Sequence, residues 1–161
     1  MSRLLIDANL LCLLVVGSLG PTALAAHPRL RAFGYEDYSN LLAIMDRVGN
    51  PLLCPHVLAE TSNLISYRQT PRHAANLRNS LAYFVERFDE HTLPAAKAVA
   101  QPEYAVLGIT DSILLLLAGQ TSRILLSVDL KLCLAAWQRK LQAINYNYIR
   151  DGAMTIDQIG Q

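Results

Sequence analysis

The sequence predicts an α/β domain of three layers, α/β/α, with a mostly parallel central sheet of about five strands. Short apolar runs, typical of buried strands, alternate with longer helical patterns along all 161 residues. Two of these runs, at residues 4–6 and 123–128, end directly in an aspartate. No internal repeat or linker-like composition divides the chain, so residues 1–161 are predicted to form a single domain.

The predicted strands are short apolar runs bounded by turn residues. There are five of them: residues 4–6, 52–54, 91–93, 123–128 and 144–149. The runs at 4–6, 52–54 and 123–128 are unbroken or nearly unbroken apolar runs, as expected for strands buried on both faces, whereas residues 91–93, His-Thr-Leu, are a short strand candidate. The last alternates polar and apolar residues, which favours a half-exposed edge strand.

Helices are predicted between these strands, where apolar residues recur with helical spacing. They cover residues 10–16, 38–48, 55–65, 74–88, 94–100, 111–118 and 131–141. Asp37 is predicted to cap the second helix, and Thr110 to cap the sixth, which places Asp111 in its first turn. Residues 22–36 give no clear pattern.

The composition indicates a folded chain without an overall attraction to polyanions. Hydrophobic residues make up 52% and charged residues 17% of the sequence, and the net charge is +1. A polyanionic partner would therefore depend on local Arg and Lys or on a metal. The cysteines, Cys12, Cys54 and Cys133, are odd in number and lack Cys-x-x-Cys spacing, which favours buried thiols in a reducing compartment.

The N-terminal region imitates a signal peptide, with an apolar core at residues 10–16 and small residues at 23–26. Asp7 interrupts the leading segment, Arg3 alone supplies positive side-chain charge, and Gly17 ends the apolar run well short of a membrane span. We therefore expect a cytoplasmic protein that does not enter the membrane.

Four acidic residues come after strands or near helix starts: Asp7, Glu60, Asp111 and Asp129. Each alone is explained as a turn, cap or solvated residue. In open α/β sheets, however, ligands bind at the carboxyl ends of the strands, where these acids are expected to converge. Two carboxylates about 6 Å apart repel by roughly 3 kcal/mol at an effective dielectric near 20, so such a cluster needs a counter-charge. Oxygen ligands favour Mg²⁺ or Mn²⁺, which activates water and stabilises charge on a phosphate.

Three cationic residues are candidates for binding RNA phosphates. Arg68 and Arg72 follow the helix that carries Glu60, and Lys131 follows Asp129 by two residues. A solvated loop explains the two arginines equally well, and an ion pair with an acid explains Lys131.

Four motifs, in the order LLIDAN, HVLAETSNL, LGITDS and LLSVDLKL, resemble those of PIN-domain ribonucleases, which include the VapC-type toxins of bacterial toxin–antitoxin pairs. The ordered set covers nearly the whole chain, and the four acids match the acids of the family's four blocks. The resemblance implies a Mg²⁺- or Mn²⁺-dependent endoribonuclease, a hydrolase of phosphodiester bonds in single-stranded or looped RNA. It also implies a homodimer and a small antitoxin partner.

The same resemblance assigns supporting roles to three polar residues beside the acids, namely Asn9, Thr110 and Ser127. Each of them is also explained as a turn or cap residue. One departure from the family is that the segment at residues 23–31 is longer than in compact toxins of this type.

Three functions stay open on these residues. The first is an active ribonuclease, and the second is a catalytically silent PIN-like module that binds RNA or protein. The third is phosphatase or DNA nuclease chemistry at the same acids. All four acids are present, which favours the first, because a pure binding module has no reason to keep their mutual repulsion. The sequence contains neither a Gly-x-Gly-x-x-Gly motif nor a P-loop, so no nucleotide cofactor is indicated.

Overall fold

The computed structural model describes residues 4–161, apart from the side chain of Thr121, and its sheet is small. Strands β1 (Leu4–Ile6), β2 (Ile124–Ser127) and β3 (Ala143–Asn145) pair in parallel in that order. Leu5 lies opposite Leu125, so the first strand is paired with one that lies far along the chain. All residues of β1 and β2 are buried, as expected for parallel strands covered on both faces.

Helices make up most of the rest of the molecule. They account for 61% of the described residues. Within the described residues there are nine α-helices: α1 (Ala8–Gly17), α2 (Pro21–Ala26), α3 (Tyr35–Val48), α4 (Pro55–Ser66), α5 (Pro71–Val85), α6 (Ala95–Val99), α7 (Tyr104–Thr121), α8 (Leu130–Gln138) and α9 (Tyr146–Arg150). A short 3₁₀ helix, Ile156–Gln158, follows them.

The predicted three-layer domain with a sheet of about five strands is wrong. Residues 4–161 contain three strands, and the molecule is mostly helical, so it belongs to the α/β class only weakly. The runs at 52–54 and 91–93 do not form strands. This part of the chain makes single parallel bridges instead, between Pro51 and Leu4 and between Leu53 and Glu90.

Proline explains why the first of these runs does not extend into a ladder. Pro51 has no backbone N–H to donate, and Pro55 begins α4 only four residues later. The backbone N–H of Leu52 donates to the carbonyl of Leu4 at 2.9 Å, and the register ends there. Three apolar residues between two prolines are too few for a strand of ordinary length.

The predicted edge strand at residues 144–149 is wrong beyond its first two residues. β3 ends at Asn145, whose side chain accepts a hydrogen bond from the N–H of Asn147 at 2.9 Å and so caps α9. Tyr146 and Ile149 are both buried, and their spacing of three residues suits one face of a helix. The alternating pattern therefore predicted a strand where a helix begins.

Asp37 is not the residue that caps α3, as the sequence predicted. Gly34 holds the cap position, and Asp37 lies at the third helical residue, where it accepts a hydrogen bond from the N–H of Gly34 at 2.8 Å. Its other oxygen accepts hydrogen bonds from the Tyr146 hydroxyl at 2.8 Å and from Nε of Arg150 at 3.2 Å. Asp37 therefore ties α3 to α9.

Helix α1 lies at the centre of the core, and it is buried along its length except at Asn9. This agrees with the predicted buried helix at 10–16. It packs against α4 and α5. Although α1 is strongly apolar, neither it nor any other helix in the described part of the chain has the length and hydropathy that a bilayer span requires.

Gly17 closes α1 where the ring of Tyr38 leaves no room for a side chain. A Cβ at Gly17 would lie 2.3 Å from Cδ2 of Tyr38, whereas a Cβ at Gly119 of α7 would meet Cδ2 of Leu141 at an ordinary 3.6 Å. We expect Gly17→Ala to destabilise the fold by about 1–3 kcal/mol through overpacking. Gly119→Ala, the matched control, should stabilise it by about 0.5–1 kcal/mol. Urea denaturation measures both, and equal effects would contradict the contact.

Candidate active site

Asp7 connects the ends of two neighbouring strands. It directly follows β1 and caps α1, where its Oδ1 accepts a hydrogen bond from the N–H of Leu10 at 2.8 Å. Its Oδ2 accepts hydrogen bonds from the Ser127 hydroxyl and from the N–H of Val128 at 3.0 Å, both at the end of β2. Burial raises the pKa of Asp7, these hydrogen bonds oppose the rise, and the charge of Asp129 adds to it.

Asp129 occupies the equivalent position after β2. It caps α8, and its Oδ1 accepts hydrogen bonds from the N–H groups of Lys131 at 2.8 Å and Leu132 at 3.4 Å. Its own N–H donates to the Ser127 hydroxyl oxygen at 3.0 Å. The Ser127 hydroxyl therefore links the residues that follow the two strands, since it also donates to Asp7.

Asp111 is placed by a break in α7 at Gly108. Gly108 has φ 81° and ψ −176°, a conformation that residues with a Cβ rarely adopt. The helix restarts after it, and Asp111 lies in the first turn of this second segment. Thr110 is also helical and half-buried, so it does not cap the helix as the sequence predicted.

The surroundings of Asp111 show that the four acids share one region. Burial, followed by the charges of Asp129, Asp7 and Glu60, raises the pKa of Asp111 to about 7. Within residues 4–161, none of the ion pairs involves any of the four acids. Among the side chains that the structure describes, none neutralises their negative charge through an ion pair.

The four side chains do not form a closed metal cage. Among the described residues, no three His, Cys, Asp or Glu side chains lie close enough together to hold a metal ion. Glu60 and Asp129 are exposed, on α4 and at the start of α8. The donor chemistry, carboxylate oxygens without a cationic partner, fits a hard divalent cation. Closing a site around the cation would require these exposed side chains to turn toward Asp7.

Lone pairs for such a cation remain on both strand-end acids. Oδ1 of Asp7 accepts one hydrogen bond, which leaves further acceptor capacity on that oxygen. Oδ2 of Asp129 accepts none from the part of the chain that the structure describes. Asp7 and Asp129 therefore each keep an oxygen available to a ligand.

The other predicted site residues differ in whether they contact the acids. Ser127 contacts Asp7 directly, and Asn9 is exposed in the first turn of α1. Lys131 is exposed and bonds Asp129 through its backbone. Arg68 and Arg72 are exposed beyond the C-terminal end of α4, near the start of α5, and neither is among the charges that shift the pKa of Asp7 or Asp111.

Two residues that the sequence did not mark as part of the site adjoin the acids along the chain. Within the described chain, three buried polar atoms lack a hydrogen-bond partner: Nδ1 of His56, Oγ1 of Thr61 and Oγ of Ser112. Thr61 and Ser112 directly follow Glu60 and Asp111 in the sequence, which was the signal available for them.

The cysteines are free and buried, as predicted. Cys133 is nonetheless close to the acids. Burial, followed by the charges of Asp7, Asp129 and Asp111, raises its pKa to about 12, so the thiol is protonated at neutral pH. Its position four residues after Asp129 places both on one face of α8 and could have indicated this proximity.

Similarity to known proteins does not identify this site. Comparisons with protein-family models, with curated proteins and with solved structures find no match to the chain. The resemblance of the four motifs to PIN-domain ribonucleases therefore stays a prediction, and the function has to be argued from the acids themselves.

Proposed function

We propose that this chain is a Mg²⁺- or Mn²⁺-dependent endoribonuclease that cleaves single-stranded or looped RNA in the cytoplasm. The observation that carries the proposal is the gathering of four acids: Asp7, Glu60 and Asp129 lie near enough to Asp111 for their charges to act on it, and among the described residues no ion pair involves any of the four. A fold gains nothing from this repulsion unless a cation offsets it. The four ordered motifs add support through their resemblance to PIN-domain ribonucleases.

In this mechanism the strand-end acids and Asp111 hold the cation. Asp7 is fixed by three hydrogen bonds, whereas Asp129 is exposed and keeps its Oδ2 free of hydrogen bonds from the described residues. A bound divalent ion would supply an activated water and stabilise charge on the phosphate. The charges of Asp129, Asp7 and Glu60 add to burial in raising the pKa of Asp111, and a cation bound among the acids would offset this repulsion.

A second candidate is a catalytically silent module that binds RNA without cleaving it. The absence, within the described residues, of three potential ligands at metal-holding distance favours this alternative. The hydrogen bonds to Asp7 also give that residue a purely structural use in joining β1 to β2.

Cleavage with and without metal separates the two candidates. A labelled RNA with a single-stranded loop should be cut in Mg²⁺ or Mn²⁺, and cleavage should fall to background in EDTA and return when either metal is restored. Single-stranded DNA and a phosphomonoester serve as controls for the DNA nuclease and phosphatase alternatives. Binding of RNA without cleavage under any of these conditions would favour the silent module.

The partners that we propose are a second copy of the chain and a small antitoxin protein, as in the VapC-type toxins that the motifs resemble. Their support is the resemblance alone. Expression of an active toxin should arrest growth, and Asp129→Asn should relieve the arrest at equal protein level. Arrest by both forms would exclude cleavage as its cause.

A further inference from the structure

A groove of about 770 Å³ lies between the C-terminal end of α1 and one side of α5. None of the residues that line it is acidic, and it is separate from the four acids. The carbonyl of Val15 accepts hydrogen bonds from the hydroxyls of Ser18 at 2.6 Å and Ser80 at 3.2 Å, which joins the two helices beside the groove. The residues that line the groove include Ser18, Leu19, His73, Asn76, Asn79 and Tyr83.

One wall of the groove belongs to a continuous stripe of α5. The stripe consists of Arg72, Asn76, Asn79 and Tyr83, whose spacings of four, three and four residues return to one side of the helix. All four are exposed, and Tyr83 is 53% exposed although the guanidinium of Arg87 lies 3.7 Å from its ring centroid. We refer to these four residues as the α5 stripe.

The chemistry of the α5 stripe suits single-stranded nucleic acid. Aromatic rings stack on bases of any sequence, and side-chain amides donate to and accept from base edges that are not paired. The apolar side of the groove, at Leu19, accepts the flat faces of bases or an apolar side chain equally well. The charge of the surrounding surface therefore decides between RNA and protein.

That surface is cationic. On the groove side, helix α5 carries Arg72 and His73 and no Asp or Glu, and its C-terminal cap, Glu86, forms an ion pair with Arg87 at 3.7 Å. Just before it, the ring of Tyr67 lies 4.3 Å from the guanidinium carbon of Arg29 and 5.1 Å from that of Arg68. Among the ion pairs of the described residues, none involves Arg29, Arg68 or Arg72. Arginines without acidic partners complement a phosphate backbone.

Arg29 lies beside α1, which runs from Asp7 to the groove. Arg29 is close enough to Cys12, in the middle of α1, for its charge to offset part of the effect of burial on the thiol pKa. The N–H of Arg29 donates to His27, whose Nε2 is 3.0 Å from the carbonyl oxygen of Ile65 in α4. Helix α1 has 10 residues and so spans about 15 Å from Asp7 to the groove.

We propose that the α5 stripe and its groove bind single-stranded RNA at a distance from the scissile phosphate. The bases would lie against Tyr83 and the two asparagines, and the phosphates would follow Arg72, Arg68 and Arg29 toward Asp7. This inference rests on the proposed function for its substrate class, but it concerns binding and not the chemical step.

Fluorescence anisotropy in EDTA tests the inference without cleavage. The probe is a labelled single-stranded RNA of mixed sequence and about 12 nucleotides, within the length that such grooves cover. We expect Tyr83→Ala to weaken binding about tenfold, whereas Tyr83→Phe keeps the ring and should bind within about twofold of the parent. Arg72→Ala should weaken binding and reduce the salt slope by about one. Arg78→Ala, on another face of α5, is the matched control and should change binding less than Arg72→Ala.

The outcomes distinguish this inference from the proposed function. If Tyr83→Ala and an Asn76→Ala, Asn79→Ala double variant bind the RNA as the parent does, the groove is not its site. If these variants keep RNA binding but convert a dimer to a monomer in sedimentation, the groove is a protein interface and the inference is overturned. Weakened binding by the stripe variants supports the groove even if the parent cleaves nothing in Mg²⁺, a result that would remove only the proposed function.

Discussion

Asp129→Asn is expected to lower RNA cleavage at least about a hundredfold, because it removes charge that positions the metal and stabilises the transition state. The fold should survive, since Asn caps helices about as well as Asp and can still accept hydrogen bonds from the N–H groups of Lys131 and Leu132. The measurement is kcat/KM on the looped RNA in Mg²⁺, together with a thermal melt.

Asp46→Asn is the matched control for this experiment. Asp46 is an exposed acid on α3, so the substitution changes net charge equally without touching the site. Cleavage by Asp46→Asn should stay within about twofold of the parent. A parent-like rate in Asp129→Asn would mean that Asp129 caps α8 and takes no part in catalysis.

Asp111→Asn is expected to stabilise the metal-free protein at pH 8 by about 2 kcal/mol, which corresponds to a rise in Tm of roughly 4–8 °C. The pKa of Asp111 is about 7 in the folded protein against an ordinary 3.8, so the folded form binds its proton more tightly than the unfolded form. The full shift would be worth roughly twice that energy, and we halve it because partial exposure of Asp111 allows solvent to screen it.

The sign of this effect predicts its pH dependence. Below pH 3.8 the acid is protonated in both states and costs nothing. As pH rises toward about 7, the unfolded form ionises first, so the folded state loses stability progressively and the loss is complete above the folded pKa. The gain from Asp111→Asn should therefore be small at pH 4 and largest at pH 8. A gain that is equal at both pH values would show that charge is not its cause.

Magnesium provides the second half of this test. A cation that binds only the folded protein raises its stability by RT ln(1 + [L]/Kd), and loss of one acidic ligand weakens that gain. The parent should therefore gain more in Tm from Mg²⁺ than Asp111→Asn does. If the variant melts lower without metal and gains as much from Mg²⁺ as the parent, Asp111 is a helix-start residue and not a ligand.

The sequence could predict the strand-end acids because their placement depends on local pattern. An apolar run that ends in Asp7 and opens directly into an apolar helix is legible from a few residues, and the run before Asp129 repeats the pattern. The extent of the sheet depends instead on long-range pairing. Residues 52–54 have the composition of a strand, but Pro51 and Pro55 leave them room for a single bridge to each side.

The hydrogen bonds and the helix break that position the acids could not be predicted from the sequence pattern. A serine at the end of a strand does not reveal that its hydroxyl will donate to one acid and accept from the backbone of another, as Ser127 does. The break at Gly108 was likewise not predicted, since a glycine just before a helix start suits a loop as well as a kinked helix. The α5 stripe spans a predicted loop, which holds Arg72, and a predicted helix, which holds its other three residues. The sequence pattern therefore does not group the four residues on one face.

The hydrogen bond between Ser127 and Asp7 joins residues 120 positions apart, and it has a consequence for how the protein is made. During synthesis the ribosome releases Asp7 long before Ser127 and Asp129, so a nascent chain holds the first acid without the strand that completes its surroundings. Contacts so distant in sequence form late. Whatever chemistry the acids perform is therefore withheld until β2 and Asp129 have left the ribosome, and a truncated product that ends before β2 should lack it.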